Sequence, residues 1–213
     1  MVDASYADGV RVLFLTPHFR PDMFGDNRES SLLAFRKLQA YAKQQYPNMV
    51  LRLANELHFN RDSISWLDQG MCRPIGGRYV LVDFSGRTEK QVIMGGLSRM
   101  LANGYVPILA HPERYEKLSR SLEELQELRD NGVLLQMDAQ SPLGGFGLGV
   151  RMRASTMLRK GLVDFVGSDA HGLISRPPQL SQAYQHVEKK YGRAYARAIF
   201  HDNAVELLGM FSR

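Results

Sequence analysis

Short apolar runs rich in β-branched residues alternate with amphipathic helical patterns along the chain, and this alternation restricts the possible folds most strongly. The predicted strands are 10–16, 49–59, 78–85, 105–111, 133–140 and 162–169, and the predicted helices are 28–46, 89–104, 121–132, 150–161 and 178–192. Strict alternation of this kind is typical of parallel strands joined by helical crossovers. We therefore predict one α/β domain over residues 1–213, with a parallel sheet that is either open or closed into a barrel.

Composition and charge narrow the function classes. The net charge is +5, and the chain contains a single cysteine, Cys72, so no intramolecular disulfide can form. The sequence has neither the long apolar run of a membrane-spanning helix nor the pattern of a secretory signal, so we expect a cytoplasmic protein without membrane insertion. The basic residues are scattered, and no groove-reading motif accompanies them. We expect anionic ligands such as phosphate esters, and no specific binding of nucleic acid.

Side chains that bind metal ions recur where the predicted strands end. His18, Glu56 and His111 lie in or after the first, second and fourth of these strands, and Asp169 and His171 lie at the end of the sixth. Because the carboxyl ends of parallel strands meet at one edge of a sheet, these five side chains are expected to converge. One such histidine alone would more often be structural. The set predicts a metal site or an acid–base pair, and imidazole with carboxylate suits Mn, Fe, Zn or Mg.

Six segments stand in a recognisable order and spacing: TPH (16–18), NELHF (55–59), RYVLVDF (78–84), GYVPILAHPERY (104–115), GLVDFVGSDAHG (161–172) and SRPPQLSQAY (175–184). Together they resemble the bacterial tyrosine phosphatases of the polymerase-and-histidinol-phosphatase (PHP) superfamily, the metal-dependent enzymes of capsule and exopolysaccharide operons. AHPERY combined with SDAH and RPP is specific, whereas either alone would be weak. The resemblance covers essentially the whole chain.

The resemblance implies a distorted (β/α)7 barrel, similar to a TIM barrel, with up to three metal ions, commonly Mn²⁺, at its carboxyl face. His18, Glu56, His111, Asp169 and His171 fall on the metal-ligand positions of the family. Metal ions in such sites lower the pKa of a bound water, hold phosphoryl oxygens and neutralise the leaving oxygen.

Two arginines complete the site that the resemblance implies. Arg114 in HPERY and Arg176 in SRPP fall on arginines expected to hold the phosphate, because a guanidinium fork matches two phosphate oxygens. Without the family context, surface salt bridges would explain them equally well. The implied activity is hydrolysis of phosphotyrosine on a bacterial tyrosine kinase that controls polysaccharide export, with no covalent enzyme intermediate.

The chain departs from the family pattern at its start. Family members begin with a strand that carries His-x-His, and no His-x-His occurs in these 213 residues. We therefore expect the first strand and most of the first helix to be missing, and fewer than three ions to be held. Two alternatives stay open: a small-molecule phosphoesterase of the same superfamily, and a non-catalytic protein that binds the kinase or forms a homo-oligomer.

Two smaller signals concern Cys72 and His58. CRPIGGR (72–78) matches the C-x5-R loop of cysteine-dependent tyrosine phosphatases, but Pro74 removes an amide donor from that loop and Ile75 replaces its usual central glycine. We interpret the match as coincidence. His58 shares a strand face with Glu56. Contact with the same cavity is one interpretation of this position, and a core or rim position is the more common outcome for such a histidine.

Overall fold

The computed structural model describes residues 1–120 and 122–209. The strands are β1 (Val12–Leu15), β2 (His18–Phe19), β3 (Val50–Leu53), β4 (Glu56–His58), β5 (Tyr79–Asp83), β6 (Val106–Ala110), β7 (Leu134–Asp138) and β8 (Phe165–Gly167). The helices are α1 (Val2–Ala7), α2 (Pro21–Phe24), α3 (Arg28–Gln45), α4 (Ser63–Asp68), α5 (Lys90–Ala102), α6 (Glu116–Ser119), α7 (Leu122–Asp130), α8 (Leu148–Arg159), α9 (Ser181–Tyr191), α10 (Arg193–Arg197) and α11 (Asn203–Gly209), with a 3-10 turn at Pro112–Arg114 and a π-helical turn at Ala198–Asp202. The predicted helix start at Ser121 lies outside the described residues. None of the helices described is long and apolar enough to cross a bilayer.

The strands form two parallel sheets. Six of them pair in the order β2-β4-β5-β6-β7-β8, and β1 pairs separately with β3. All pairings between these strands are parallel. The prediction of an α/β fold with a parallel sheet is therefore confirmed.

The predicted strand over 49–59 is wrong as a continuous element, because it is interrupted between β3 and β4. At the break, the Asn55 backbone N–H donates to the Arg73 carbonyl (2.9 Å), and the Asn55 side-chain amide donates to the Pro17 carbonyl (3.0 Å). Pro17 breaks the neighbouring strand at the same level, since proline has no N–H for a ladder. The two interruptions lie side by side and separate the small sheet from the large one.

The main core packs against the central strands. Val80, Val82, Leu109 and Leu135 are almost completely inaccessible to solvent and belong to one apolar cluster with residues of the surrounding helices. Leu81, Ile108 and Ala110 alternate with them along the chain and form a second cluster with Leu207 of α11. Strands buried on both faces are typical of a parallel sheet covered by helices.

The large sheet is strongly curved. In a flat sheet, five spacings of about 4.8 Å would separate β2 from β8 by about 24 Å. The ring of His18 on β2 nevertheless lies 6.1 Å from the ring of His171, which follows β8 by four residues. The curvature brings the carboxyl ends of the first and last strands of the sheet to one place.

Asp8 fastens the N-terminal segment to the start of α9. Its Oδ2 accepts hydrogen bonds from the backbone N–H groups of Leu180 (2.6 Å) and Ser181 (3.0 Å), and its Oδ1 accepts one from the Ser181 hydroxyl (2.5 Å). The carboxylate thus acts as a helix cap supplied from the other end of the chain.

Asp8→Ala is expected to lower the free energy of unfolding by about 1–2 kcal/mol, the usual cost of losing a cap. Urea titration followed by circular dichroism measures it. Glu127→Ala, which removes an exposed carboxylate from α7, is the control and should change the free energy by less than about 0.5 kcal/mol. Equal effects of the two substitutions would contradict the capping role.

Candidate metal and phosphate site

A cavity of about 270 Å³ opens where the carboxyl ends of the strands meet; we call it the strand-end cavity. Six of the seven predicted site residues line it: His18, His111, Arg114, Asp169, His171 and Arg176. The seventh, Glu56, is buried and lies between two of these histidines. The residues come from four strand ends, which meet because the strands are parallel and the sheet is curved.

Glu56 is the centre of the imidazole–carboxylate group. Its Oε2 lies 3.3 Å from His18 Nδ1, and its Oε1 lies 3.5 Å from His111 Nε2. Burial lowers the pKa of His111, but the hydrogen bond and charge of Glu56 raise it, and the net effect is a raised pKa. The negative charge of Glu56, which contributes to this net effect, also favours a metal cation bound beside it.

Asp83 is a residue that the sequence analysis missed. It ends β5, and it can offer a carboxylate oxygen together with one ligand atom each from His18 and Glu56, all within 4.8 Å of one another. The signal was present in RYVLVDF, where an aspartate follows a run of apolar residues. His18 and His111 stand in the same position relative to their own apolar runs.

His58 orients Asp83. Its Nδ1 lies 3.0 Å from Asp83 Oδ1, and its Nε2 lies 3.5 Å from the Ser85 hydroxyl. His58 lines the strand-end cavity. The sequence had favoured a core or rim position for it. Carboxylates that bind metal ions are themselves commonly held in place by hydrogen bonds.

Asp169 is held by both predicted phosphate-binding arginines. Its Oδ2 accepts hydrogen bonds from Arg114 NH1 (2.9 Å) and from Arg176 NH1 (2.8 Å). The backbone carbonyl of Asp169 lies 2.8 Å from His171 Nδ1. Among the described residues, these two bonds occupy one nitrogen of each guanidinium. An arginine has further N–H donors, which suit a second anion.

The backbone is strained at three of these residues. Among the described residues, the non-glycine residues with positive φ are His111 (39°), Asp169 (43°) and Arg176 (77°). Such conformations cost about 1–3 kcal/mol each and persist where the surrounding structure enforces them. All three residues line the strand-end cavity. The contacts that place their side chains there therefore offset the strain of the backbone.

A buried carboxylate pair supports the turn that carries Arg114. Glu113 is completely buried, and its Oε1 accepts hydrogen bonds from the Asp138 backbone N–H (3.0 Å) and the Ser141 hydroxyl (2.6 Å). Asp138, at the end of β7, has an inaccessible side chain whose Oδ2 lies 3.8 Å from Arg114 NH1. The turn at Pro112–Arg114 is thereby fixed against β7, which positions Arg114 over the cavity.

Asp138 makes stability depend on pH. Burial raises its pKa from the ordinary value of 3.8 to about 7, so the folded chain keeps a proton that the unfolded chain loses from about pH 4 upwards. Stability therefore falls as pH rises through this window. Asparagine does not titrate, so Asp138→Asn does not lose stability in this way. The free energy of unfolding of Asp138→Asn minus that of the unaltered chain should therefore increase by about 2–3 kcal/mol between pH 5 and pH 8. Urea titrations at both pH values, with chelator present, measure the difference; a constant difference would contradict the raised pKa.

The residues present fit a divalent cation. His18, Glu56 and Asp83 supply one imidazole and two carboxylates within reach of one ion. The Nδ1 atom of His111 is buried and has no hydrogen-bond partner among the described residues. These donors suit borderline and hard divalent metals rather than soft ones. Asp169 and His171 line the same cavity, and the His171 ring lies 6.1 Å from that of His18.

Cys72 lies outside this group. It is buried, and burial raises the pKa of its thiol to about 12, so that a thiolate nucleophile is not available near neutral pH. The interpretation of CRPIGGR as a coincidental match agrees with this placement. Cys72→Ala is expected to retain the hydrolytic rate per folded molecule within about twofold, because Cys72 does not line the strand-end cavity. A loss of all activity, with normal circular dichroism, would point to the thiol route instead.

Three comparisons with known proteins agree with this geometry. The family model for capsular polysaccharide synthesis, CpsB/CapC, matches residues 1–209. Tyrosine-protein phosphatase CpsB of Streptococcus pneumoniae is 33% identical over 210 residues, which are 96% of this chain and 86% of that protein. Tyrosine-protein phosphatase YwqE of Bacillus subtilis (strain 168) is 24% identical over 201 residues, 90% of this chain and 76% of that protein.

A solved structure shares the fold. It comes from work described as crystal structures of YwqE from Bacillus subtilis and CpsB from Streptococcus pneumoniae, unique metal-dependent tyrosine phosphatases. The TM-score is 0.86 at 21% identity, and the match covers 98% of this chain and 85% of that chain. By the family model and the similarity to the pneumococcal protein, the chain belongs to the CpsB/CapC family of capsular polysaccharide synthesis, which confirms the family indicated by its motifs.

Proposed function

We propose that this protein is a metal-dependent protein-tyrosine phosphatase that hydrolyses phosphotyrosine on a bacterial tyrosine kinase regulating capsular or exopolysaccharide synthesis. The observation that carries the proposal is the meeting of imidazoles and carboxylates with two arginines in one cavity. The names of the relatives support the same activity.

The proposed metal ligands are His18, Glu56, His111, Asp169 and His171, to which the geometry adds Asp83. We propose Mn²⁺ as the native ion, in fewer than the three copies that the family resemblance allows. Bound divalent cations in such a site activate water and neutralise charge on the phosphoryl group and the leaving oxygen.

The chain's own residues bind and orient the substrate. Arg114 and Arg176 donate N–H groups to the phosphoryl oxygens, and Asp169 fixes both guanidinium groups in position. Charge-assisted hydrogen bonds from two sides restrict rotation of the phosphoryl group. Glu113 maintains the turn that carries Arg114.

The finer architecture is part of the proposal. A distorted (β/α)7 barrel, in a single domain, is supported by the curvature of the parallel sheet and by the approach of His18 to His171. Action in the cytoplasm, expected from the sequence, stays a prediction. Assembly into a homo-oligomer stays a prediction.

A phosphatase assay tests the proposed function. The protein is expected to hydrolyse a phosphotyrosine peptide when Mn²⁺ is supplied, to lose activity with EDTA, and to act more slowly on a phosphoserine peptide and on histidinol phosphate. Preference for histidinol phosphate would favour the small-molecule phosphoesterase. A folded, metal-supplied protein that hydrolyses none of these substrates but still binds the kinase would favour the non-catalytic alternative.

A further inference from the structure

A third arginine lines the strand-end cavity. Arg20 follows His18 by two residues, directly after β2, and its side chain is 28% exposed. Its Nε atom is buried and has no hydrogen-bond partner in the part of the chain that the structure describes. Within the described part of the chain its ion pair is a long one, 3.7 Å from Nε to Asp22 Oδ2.

This situation differs from that of the other two arginines in the cavity. Arg114 and Arg176 each donate a hydrogen bond from NH1 to Asp169 Oδ2, at 2.9 Å and 2.8 Å. Arg20 has no carboxylate at hydrogen-bond distance among the described residues. The positive charge of Arg20 therefore lacks a close counter-charge among these residues, and an anion in the cavity would supply one.

An exposed aromatic ring stands on the same turn. Phe24, the last residue of α2, is 55% exposed, and its ring lies 6.5 Å from that of His18 at an interplanar angle of 21°. The turn is fixed, because the Phe24 N–H donates to the Arg20 carbonyl (3.0 Å) and the Asn27 side chain donates to the His18 carbonyl (3.1 Å). The hydrogen bonds thus fix the backbone that carries the ring, and the ring lies beside His18, which lines the cavity.

We propose that residues 20–24 form a substrate lip, in which Arg20 donates to a phosphoryl oxygen and Phe24 flanks the aryl ring of the substrate. The inference rests on the proposed function and names residues that decide which phosphate esters the site prefers. Guanidinium groups bind phosphate by charge-assisted hydrogen bonds, and an exposed ring gains apolar and stacking contact only from a ligand that carries a ring. The lip thus favours aryl over alkyl phosphates.

Two small probes separate the two roles. Phenylphosphonate and methylphosphonate share one headgroup and differ in the ring, and neither can be hydrolysed to phosphate and alcohol. Their dissociation constants for the Mn²⁺-supplied protein are measured by calorimetry or by competition. Arg20→Gln is expected to weaken binding of both probes about tenfold or more. Phe24→Ala is expected to lower the preference for the phenyl over the methyl probe by about two- to tenfold, and Phe24→Tyr should restore it.

The controls use the same chain. Val92→Ala shortens another exposed apolar side chain, on α5, and should leave the ratio of the two dissociation constants unchanged. Arg20→Lys keeps the positive charge but loses the planar guanidinium group that can bind two oxygens. Its affinity for the two probes should therefore lie between those of the unaltered chain and Arg20→Gln. Circular dichroism shows that each variant is folded.

Two results would overturn the lip. One is a Phe24→Ala protein whose affinities for both probes change by the same factor or not at all. The other is a folded Arg20→Gln protein that binds both probes as tightly as the unaltered chain. If the unaltered chain binds neither phosphonate, the proposed function itself fails, which is a distinguishable outcome.

Discussion

Glu56→Gln is expected to weaken Mn²⁺ binding at least about 100-fold, because loss of a group that merely supports a ligand already costs 10- to 100-fold. Glu56 is buried between His18 and His111, and each of its carboxylate oxygens approaches one of the two imidazoles. Glutamine keeps the shape of the side chain but removes the negative charge that offsets a divalent cation. Hydrolysis of phosphotyrosine peptide should fall with metal occupancy, and excess Mn²⁺ should recover only part of it.

Calorimetric titration with Mn²⁺ measures the affinity, and Glu127→Gln serves as the matched control. Glu127 is exposed on α7, so that its substitution removes the same charge without touching the cavity. An Mn²⁺ affinity that is equal in both variants would show that Glu56 does not hold the ion.

Arg176→Ala is the second substitution with a large expected effect. Loss of a hydrogen bond to a charged group costs about 1.5–3 kcal/mol, so kcat/KM for the phosphotyrosine peptide should fall about 10- to 100-fold. Inhibition by inorganic phosphate should weaken in parallel, because product and substrate share the phosphoryl contact. Arg114→Ala is expected to behave similarly, and lysine at either position should restore only part of the loss.

Arg129→Ala is the matched control for the arginine variants. Arg129 also pairs with an aspartate, through NH2 and Asp164 Oδ1 at 2.7 Å, but it does not line the strand-end cavity. Its loss should affect stability rather than phosphate binding. If Arg176→Ala and Arg129→Ala leave phosphate inhibition equally strong, Arg176 does not contact the phosphate.

Much of the site was predictable because two simple rules act together. Side chains alternate along a strand, and parallel strands end at the same edge of a sheet. His18, Glu56 and His111 could therefore be grouped from the sequence, although nearly a hundred residues separate the first from the last. The same rules apply to Asp83, which lies within a predicted strand but was not included among the candidate ligands.

Other features depend on contacts between distant segments and leave no local pattern. The pairing of Asp169 with two arginines and the break between β3 and β4 depend on residues that are far apart in the chain. Positive φ at His111 and Asp169 runs against the preference of non-glycine residues, so propensity cannot predict it. The burial that raises the pKa of Asp138 is likewise a property of the packed structure.

The most direct test is anomalous diffraction from crystals soaked in Mn²⁺, with data collected at the manganese absorption edge. The account predicts at least one strong anomalous peak in the strand-end cavity, coordinated by Glu56 together with His18, His111 or Asp83. A well-ordered cavity without any manganese peak, in crystals soaked at millimolar Mn²⁺, would contradict it.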